Sequence, residues 1–291
     1  MTYRELYEYG KLKLQEAGIA EAALDARLLL EYICRTDRNE LIVHADRERS
    51  DLEEAFYQTV IGKRASRIPL QYITGEQEFM GLSFRVNEHT LIPRQDTEIL
   101  VEEAMRHLCD GMRILDMCTG SGCILLSLLQ YSNECEGVGV DLSGEALKVA
   151  RENAERLQLD AAFLEGDLFS PLEIFASGSM NPEDFELDRM FDIIVSNPPY
   201  IETAVIDTLM PEVRGHEPLC ALDGGKDGLH FYRRIVAEAP NYMRKGAYLF
   251  FEIGCDQGDA VVSLMQAAGF IQIEVFKDYA GLDRVVRGVK E

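Results

Sequence analysis

Apolar side chains in the first 70 residues recur at helical intervals. Thr2 can cap a helix whose Tyr3, Leu6, Tyr7 and Leu14 fall on one side, and Gly18 ends it. From Ala22 to Cys34 the apolar positions Leu24, Leu28, Leu29 and Ile33 repeat at the same period. Ser50 followed three positions later by Glu53 is a capping box, which opens a third helix reaching about Ser66. Pro69 ends that pattern, since its ring cannot continue a helix. Phe79, Leu82, Phe84 and Val86 then flank Gly81, a spacing that predicts a short β-hairpin.

From Pro93 the rhythm changes. The runs MRILDM, GVGVD, AAFLEG, FDIIVS, AYLFFEI and IQIEVF alternate with helix-length segments, and RVVRGVK adds a further strand. Alternation of this kind builds a mainly parallel sheet covered on both faces. Residues 177–189, SGSMNPEDFELDR, are acidic and without apolar period, which predicts a solvated loop before FDIIVS. The expected organisation is a helical domain at 1–74, a hairpin link at 75–92 and an α/β domain at 93–291.

Composition narrows the function classes. Of 291 residues 47% are hydrophobic, too many for a disordered chain. Lys and Arg number 29 against 51 Asp and Glu, a net charge of −22. Nucleic-acid backbones are bound by neutralising cations, so direct nucleic-acid binding is not expected. The seven cysteines form no C-x-x-C pair and no zinc set, which fits free thiols in a reducing compartment. The N-terminus is charged and amphipathic, and no apolar run approaches the ~20 residues of a membrane span. A cytoplasmic protein, away from membranes, without a metal and monomeric, is expected.

Three segments could carry chemistry. The first is the turn Cys118-Thr119-Gly120-Ser121-Gly122 between the strand ILDM and the helical run ILLSLLQ. Small residues there let backbone approach a ligand in the crevice at the strand ends, although a plain tight turn would look similar. The second is Asp141, 19 residues beyond Gly122, which can accept both hydroxyls of an adenosine ribose or simply cap the next helix. Asp167 ends the following strand and could reach an adenine amino group. These pieces fit a nicotinamide site or an S-adenosylmethionine site. A dinucleotide wants a third glycine for its pyrophosphate, and Ile124-Leu125 stand there instead.

The third segment decides between them. The strand FDIIVS runs into Asn197-Pro198-Pro199-Tyr200. Two prolines make a rigid turn by themselves. The flanking side chains offer more. The Asn197 side-chain oxygen and the Pro198 carbonyl can accept the two hydrogens of a planar amino group, and Tyr200 can stack on its face. Held so, the nitrogen lies in line with a sulfonium methyl.

Asn-Pro-Pro-Tyr after the fourth strand resembles the amino-methyltransferases of adenine, guanine and glutamine amide nitrogen. The closer resemblance is to the HemK/PrmC family, the release factor glutamine methyltransferases. LIPRQDTE at 91–98 is similar to that family's IPRPETE-type motif. DMCTGSGC at 116–123 is similar to its D-L-G-T-G-S-G-C motif, and EPLCALDGGKDG at 217–228 to its E-P-x-x-A-L-x-G-G-x-D-G segment. The resemblance implies a seven-stranded, Rossmann-like class I methyltransferase domain with its last strand antiparallel, behind a small all-helical domain. It implies methylation, by S-adenosylmethionine, of the Gln side-chain amide in the Gly-Gly-Gln motif of class 1 peptide chain release factors. Carried over by position, Cys118, Thr119, Gly120, Ser121, Gly122, Asp141, Asp167, Leu168 and Asn197 would bind the cofactor. Asn197, Pro198, Pro199 and Tyr200 would hold the substrate Gln, with Asn197, Pro198 and Tyr200 serving catalysis.

Two positions depart from the family pattern. Cys118 stands where the first Gly of the cofactor loop is usual, and Gln95-Asp96 replaces Pro-Glu after Arg94. An amino-methyltransferase of nucleic acid is the alternative enzyme, opposed by the acidic charge. A non-catalytic cofactor-binding protein is the alternative outside enzymes, opposed by the intact Asp141 and Asn-Pro-Pro-Tyr. The helices of 1–70 carry no catalytic constellation and are expected to grip the substrate protein.

Overall fold

The computed structural model describes residues 1–172 and 190–291, so the loop predicted at 177–189 lies outside the described residues. The chain forms two compact units, Met1–Glu76 with Met210–His216, and Gln77–Leu209 with Glu217–Glu291.

The first unit holds helices α1 (Tyr3–Glu16), α2 (Ala22–Cys34), α3 (Arg38–Val43), α4 (Asp51–Ala65) and α5 (Leu70–Thr74), with the short helix Pro211–His216. Thr2 and Ser50 both close capping boxes, with Glu5 and Glu53 returning the bond. The core gathers Leu6, Leu14, Leu29, Leu30, Tyr57 and Ile61. Helix α2 buries Ala22, Asp25, Ala26, Leu29 and Leu30, whereas Leu24 is exposed. Its inward face is therefore turned from the one that Leu24 and Leu28 predict. Two polar contacts explain the turn: Asp25 pairs with Arg64 at 2.7 Å, and the Ala26 carbonyl accepts from Tyr57 Oη at 3.0 Å.

The second unit opens with the hairpin β1 (Glu76–Phe79) and β2 (Leu82–Arg85). Met80 and Gly81, at φ 51° and 71°, make its turn. Phe79 and Phe84 are buried in the same cluster as Leu100, Leu125 and Phe250, so the hairpin belongs to this unit's core. The chain accordingly divides at Glu76. Then follow α6 (Gln95–Met105), β3 (Arg113–Met117), α7 (Cys123–Gln130), β4 (Glu136–Asp141), α8 (Gly144–Leu157), β5 (Ala162–Glu165) and β6 (Phe191–Ser196). Helix His230–Glu238, β7 (Met243–Glu252), helix Gly258–Ala267, β8 (Phe270–Lys277) and β9 (Asp283–Lys290) complete it.

The seven strands β3 to β9 form one sheet in the order β5-β4-β3-β6-β7-β9-β8. Pairing is parallel from β5 across to β7, while β9 runs antiparallel to both its neighbours. Each of the seven apolar runs is one of these strands. β3 starts the sheet from its middle, with β4 on one side and β6 on the other. The chain thus reverses direction of travel across the sheet at β3, and the crevice at the C-terminal strand ends lies there.

Candidate active site

Loop 118–122 leaves β3 through alternating left-handed residues, Cys118 at φ 62°, Gly120 at 56° and Gly122 at 79°. That path brings the loop over the strand ends, where the Thr119 N–H donates to the Val140 carbonyl at 3.0 Å. A Cβ at Gly122 would meet Leu126 and Ala150 at 3.2 and 3.3 Å, so glycine lets α7 and α8 approach. At Gly120 nothing stands within 4 Å of the Cβ position, which leaves backbone open to the pocket it lines. At Cys118 a side chain occupies a conformation that favours glycine, at an expected cost of about 1 kcal/mol.

Asp141 ends β4 in the same pocket. Its two oxygens accept the N–H groups of Gly120 at 2.8 Å and Ser143 at 2.9 Å. The cap of α8 is Ser143, whose hydroxyl accepts from the Ala146 N–H. Asp141 is thereby not the helix cap. Burial raises its carboxyl pKa, and the N–H donors oppose that. Asp116, one strand over, is fully buried. Thr119 donates to its Oδ2 at 2.6 Å, and its Oδ1 has no partner among the described residues. Burial pushes its pKa up to about 7.

Asp167 and Leu168 line the pocket after β5, with Leu168 left-handed at φ 50°. The Asp167 carboxylate is held by a two-pronged contact from Arg234, at 2.9 and 2.8 Å. Asn197 and Pro199, after β6, line it as well. The structure thus gathers Cys118, Thr119, Gly120, Ser121, Asp141, Asp167, Leu168, Asn197 and Pro199 around one pocket. Gly122, Pro198 and Tyr200 do not line it. Tyr200 sits with its phenol donating to Glu252 Oε1 at 3.2 Å.

The Asn-Pro-Pro-Tyr turn is clamped from outside. A Cβ at Gly224 would lie 2.7 Å from Tyr200 Cα, and one at Gly228 only 2.4 Å from the Tyr200 carbonyl oxygen. Gln257 Nε2 donates to that same carbonyl at 3.0 Å. Gly224 and Gly228 are therefore packing requirements of this turn. The segment at 94–98 braces it also. Arg94 pairs with buried Glu217, Asp96 with Arg284 at 3.2 Å, and Glu98 accepts the Met80 N–H of the hairpin at 2.6 Å. Asn197 Nδ2 donates to the Thr97 hydroxyl at 3.4 Å.

Sequence reasoning passed over several contributors. Leu142 and Phe231 line the pocket without belonging to any recognisable pattern, and Cys220 lines it from within the 217–228 motif. Glu252 supports Tyr200 from the end of β7. Its one signal was an acid inside the apolar run AYLFFEI. The arrangement offers a cradle of backbone and carboxylates for an extended polar ligand, facing a rigid turn with amide and carbonyl acceptors.

Residues 5–75 match the model of the PrmC N-terminal domain, and residues 108–255 match that of a methyltransferase domain. The chain is 42% identical to the release factor glutamine methyltransferase of Geobacter sulfurreducens over 99% of its own length and 96% of that protein. With the release factor glutamine methyltransferase of Caulobacter vibrioides the identity is 41%, over 100% of this chain and 97% of that one. A solved methyltransferase structure from Pyrococcus furiosus, 17% identical, shares the fold with a TM-score of 0.51, covering 73% of this chain and 90% of that one.

Proposed function

The chain belongs to the release factor glutamine methyltransferase family, and from that premise we propose that it methylates the side-chain amide nitrogen of the glutamine in the Gly-Gly-Gln motif of class 1 peptide chain release factors. S-adenosylmethionine is the methyl donor; when bound it supplies a methyl carbon on a sulfonium, whose thioether leaves without needing a proton. The nitrogen that gains the methyl would give up one of its hydrogens as a proton to solvent, so the chain needs no general acid at this site. Loop 118–122 and Asp141 would hold the donor, with the ribose hydroxyls on the Asp141 carboxylate and the adenine beside Asp167 and Leu168. The left-handed backbone of Gly120, open to the pocket, fits a ligand at close approach.

An amide nitrogen is a weak nucleophile, because its lone pair is delocalised into the carbonyl. The contribution left to the chain is orientation. The observation that carries this reading is Asn197, which lines the same pocket as Pro199, Asp141 and loop 118–121. Asn197 Oδ1 and the Pro198 carbonyl would accept the two amide hydrogens and aim the nitrogen. Tyr200, with its hydroxyl anchored on Glu252, would serve by keeping the turn in place. The helical unit would hold the body of the release factor, and the cytoplasm, where translation terminates, is the place of action.

The test is transfer of label from methyl-labelled S-adenosylmethionine to a purified release factor, with the site located by mass spectrometry. Label on the Gly-Gly-Gln side chain is expected. Label on nucleic acid, or none on the factor, overturns the reading.

A further inference from the structure

Asn153 lies one turn along α8 from Ala150 and is 1% exposed. It does not line the pocket, and all three of its hydrogen bonds go to backbone. Its Oδ1 accepts the Arg85 N–H at 2.6 Å. Its Nδ2 donates to the Arg85 carbonyl at 3.1 Å and to the Ser121 carbonyl at 2.9 Å. Arg85 ends strand β2 of the hairpin, and Ser121 belongs to loop 118–122. One buried amide therefore joins the hairpin to the cofactor loop.

The peptide between Ser121 and Gly122 needs such a holder. Gly122 is left-handed at φ 79°, and glycine takes either sign of φ at little cost, so this peptide turns over easily. Its N–H donates to the Thr119 carbonyl at 2.8 Å, a bond that moves with the loop. The bond from Asn153 ties the other side of the peptide to the rest of the fold. Ser121 is 2% exposed, so its carbonyl would be costly to leave unpaired. The hairpin is itself fixed at its turn, where the Met80 N–H donates to Glu98 and the Met80 carbonyl accepts from Tyr131 Oη, both at 2.6 Å. Tyr131 follows α7, the helix that begins at the loop.

We propose that Asn153 is a positioning residue of the cofactor site, which hangs the Ser121–Gly122 peptide from the backbone of β2. The hairpin thereby becomes part of the site although none of its residues lines the pocket. Backbone sets the polarity of the arrangement. An N–H only donates, so Oδ1 faces the Arg85 N–H and Nδ2 is left to the two carbonyls. The inference rests on the proposed seating of S-adenosylmethionine on loop 118–122 and extends it to a residue outside the pocket.

Two substitutions cut this connection at different points. Asn153→Ala removes all three bonds, and Arg85→Pro removes only the N–H that orients Asn153, touching neither α8 nor the loop. Asn153→Ala should raise the cofactor dissociation constant, read by calorimetry, about tenfold, and Arg85→Pro about threefold, the scale of a buried hydrogen bond lost or loosened. The cofactor KM should rise alike, while kcat at saturating cofactor and release-factor KM stay within about twofold, the split expected when only binding is lost. Because both act through one amide, the double variant should bind no more weakly than Asn153→Ala alone. An Asn153 that merely staples the hairpin lowers the unfolding temperature and leaves cofactor affinity of the folded protein unchanged. That result, or losses that multiply in the double variant, overturns the inference. Hydrogen exchange tests it on the unaltered protein: S-adenosylmethionine should slow exchange of the Arg85 amide, and an unchanged rate overturns the inference. Asp141→Ala separates this inference from the reading of the pocket. Weakened cofactor in Asp141→Ala but not in Asn153→Ala overturns the inference and keeps the pocket. Weakened cofactor in Asn153→Ala and Arg85→Pro but not in Asp141→Ala refutes the role given to Asp141 and keeps the inference.

Discussion

Cys118 and Asp116 show how single residues are held in unfavourable states by the loop they serve. Cys118 keeps a side chain at φ 62°. Replacing it with Gly and with Ala removes the thiol in both cases, but only Gly relieves the backbone. Cys118→Gly should therefore be more stable than Cys118→Ala by about 1 kcal/mol, measured by urea unfolding. Equal stabilities would mean that the loop relaxes without cost. Asp116 is a buried acid whose pKa stands at about 7 against an ordinary 3.8. Between these values the folded protein holds a proton that the unfolded chain has released. Stability from this group is complete below pH 3.8 and is lost as pH rises toward 7, at about 1.4 kcal/mol per pH unit. Asp116→Asn removes that slope. The ligand-free variant should gain on the unaltered protein steadily from pH 4 to 7, in unfolding followed at each pH; parallel curves would show Asp116 ionised and solvated throughout.

Among elements, the same chemical change carries opposite signs depending on what the backbone must do. Gly62 sits inside α4 with nothing within 4 Å of its Cβ position, so Gly62→Ala should stabilise by about 0.5–1 kcal/mol. Gly228 is left-handed at φ 67°, and its Cβ would strike the Tyr200 carbonyl. Gly228→Ala should cost about 2 kcal/mol and slow methyl transfer at least tenfold, with cofactor affinity unchanged because loop 118–122 is untouched. A variant with full activity would show that the 217–228 segment does not hold the Asn-Pro-Pro-Tyr turn. The elements themselves were legible, because the central strands β3 and β6 are buried on both faces and read as apolar runs, while the edge strand β8, largely exposed, still alternates apolar with polar residues. That loop 118–122 and Asn197 meet at one pocket was legible for a related reason, since a parallel sheet delivers strand ends to one crevice. What stayed hidden were polar contacts between distant segments. Thr97 reads as a first-turn helix residue and Glu252 as an odd acid in a strand, and only folding brings the one to Asn197 and the other to Tyr200. The Leu24–Leu28 face of α2 misled because two polar contacts, at Asp25 and Ala26, outweighed one leucine. The anchoring of the Tyr200 hydroxyl on Glu252 is another such long-range contact.

On the scale of the whole molecule, the two units carry separate demands, and charge shows it. The pocket is built entirely from the second unit, as are the groups that brace it. The first unit has a buried charge cluster of its own. Arg64 lies between Asp25 at 2.7 Å and Glu212 at 3.2 Å, all three side chains nearly excluded from water, and Arg67 meets Glu212 from the side at 3.1 Å. Through Glu212 the segment Met210–His216, far along the chain, becomes part of the helical unit. In an acidic protein of net charge −22, such a cluster depends on Arg64, because removing it leaves the buried Asp25 carboxylate without compensation. Arg64→Met should therefore destabilise by about 3–5 kcal/mol, the range for breaking a buried pair from one side. Adding Asp25→Leu should recover part of that loss, since no charge is then stranded beside α2 and Glu212 retains Arg67. Cofactor affinity of the folded variant should not change, for its site draws nothing from this unit. Thermal unfolding with calorimetric titration on the single and double variants measures both quantities. A loss below about 1 kcal/mol would place the cluster among solvated surface pairs, and a weakened cofactor would show that the two units do not act independently.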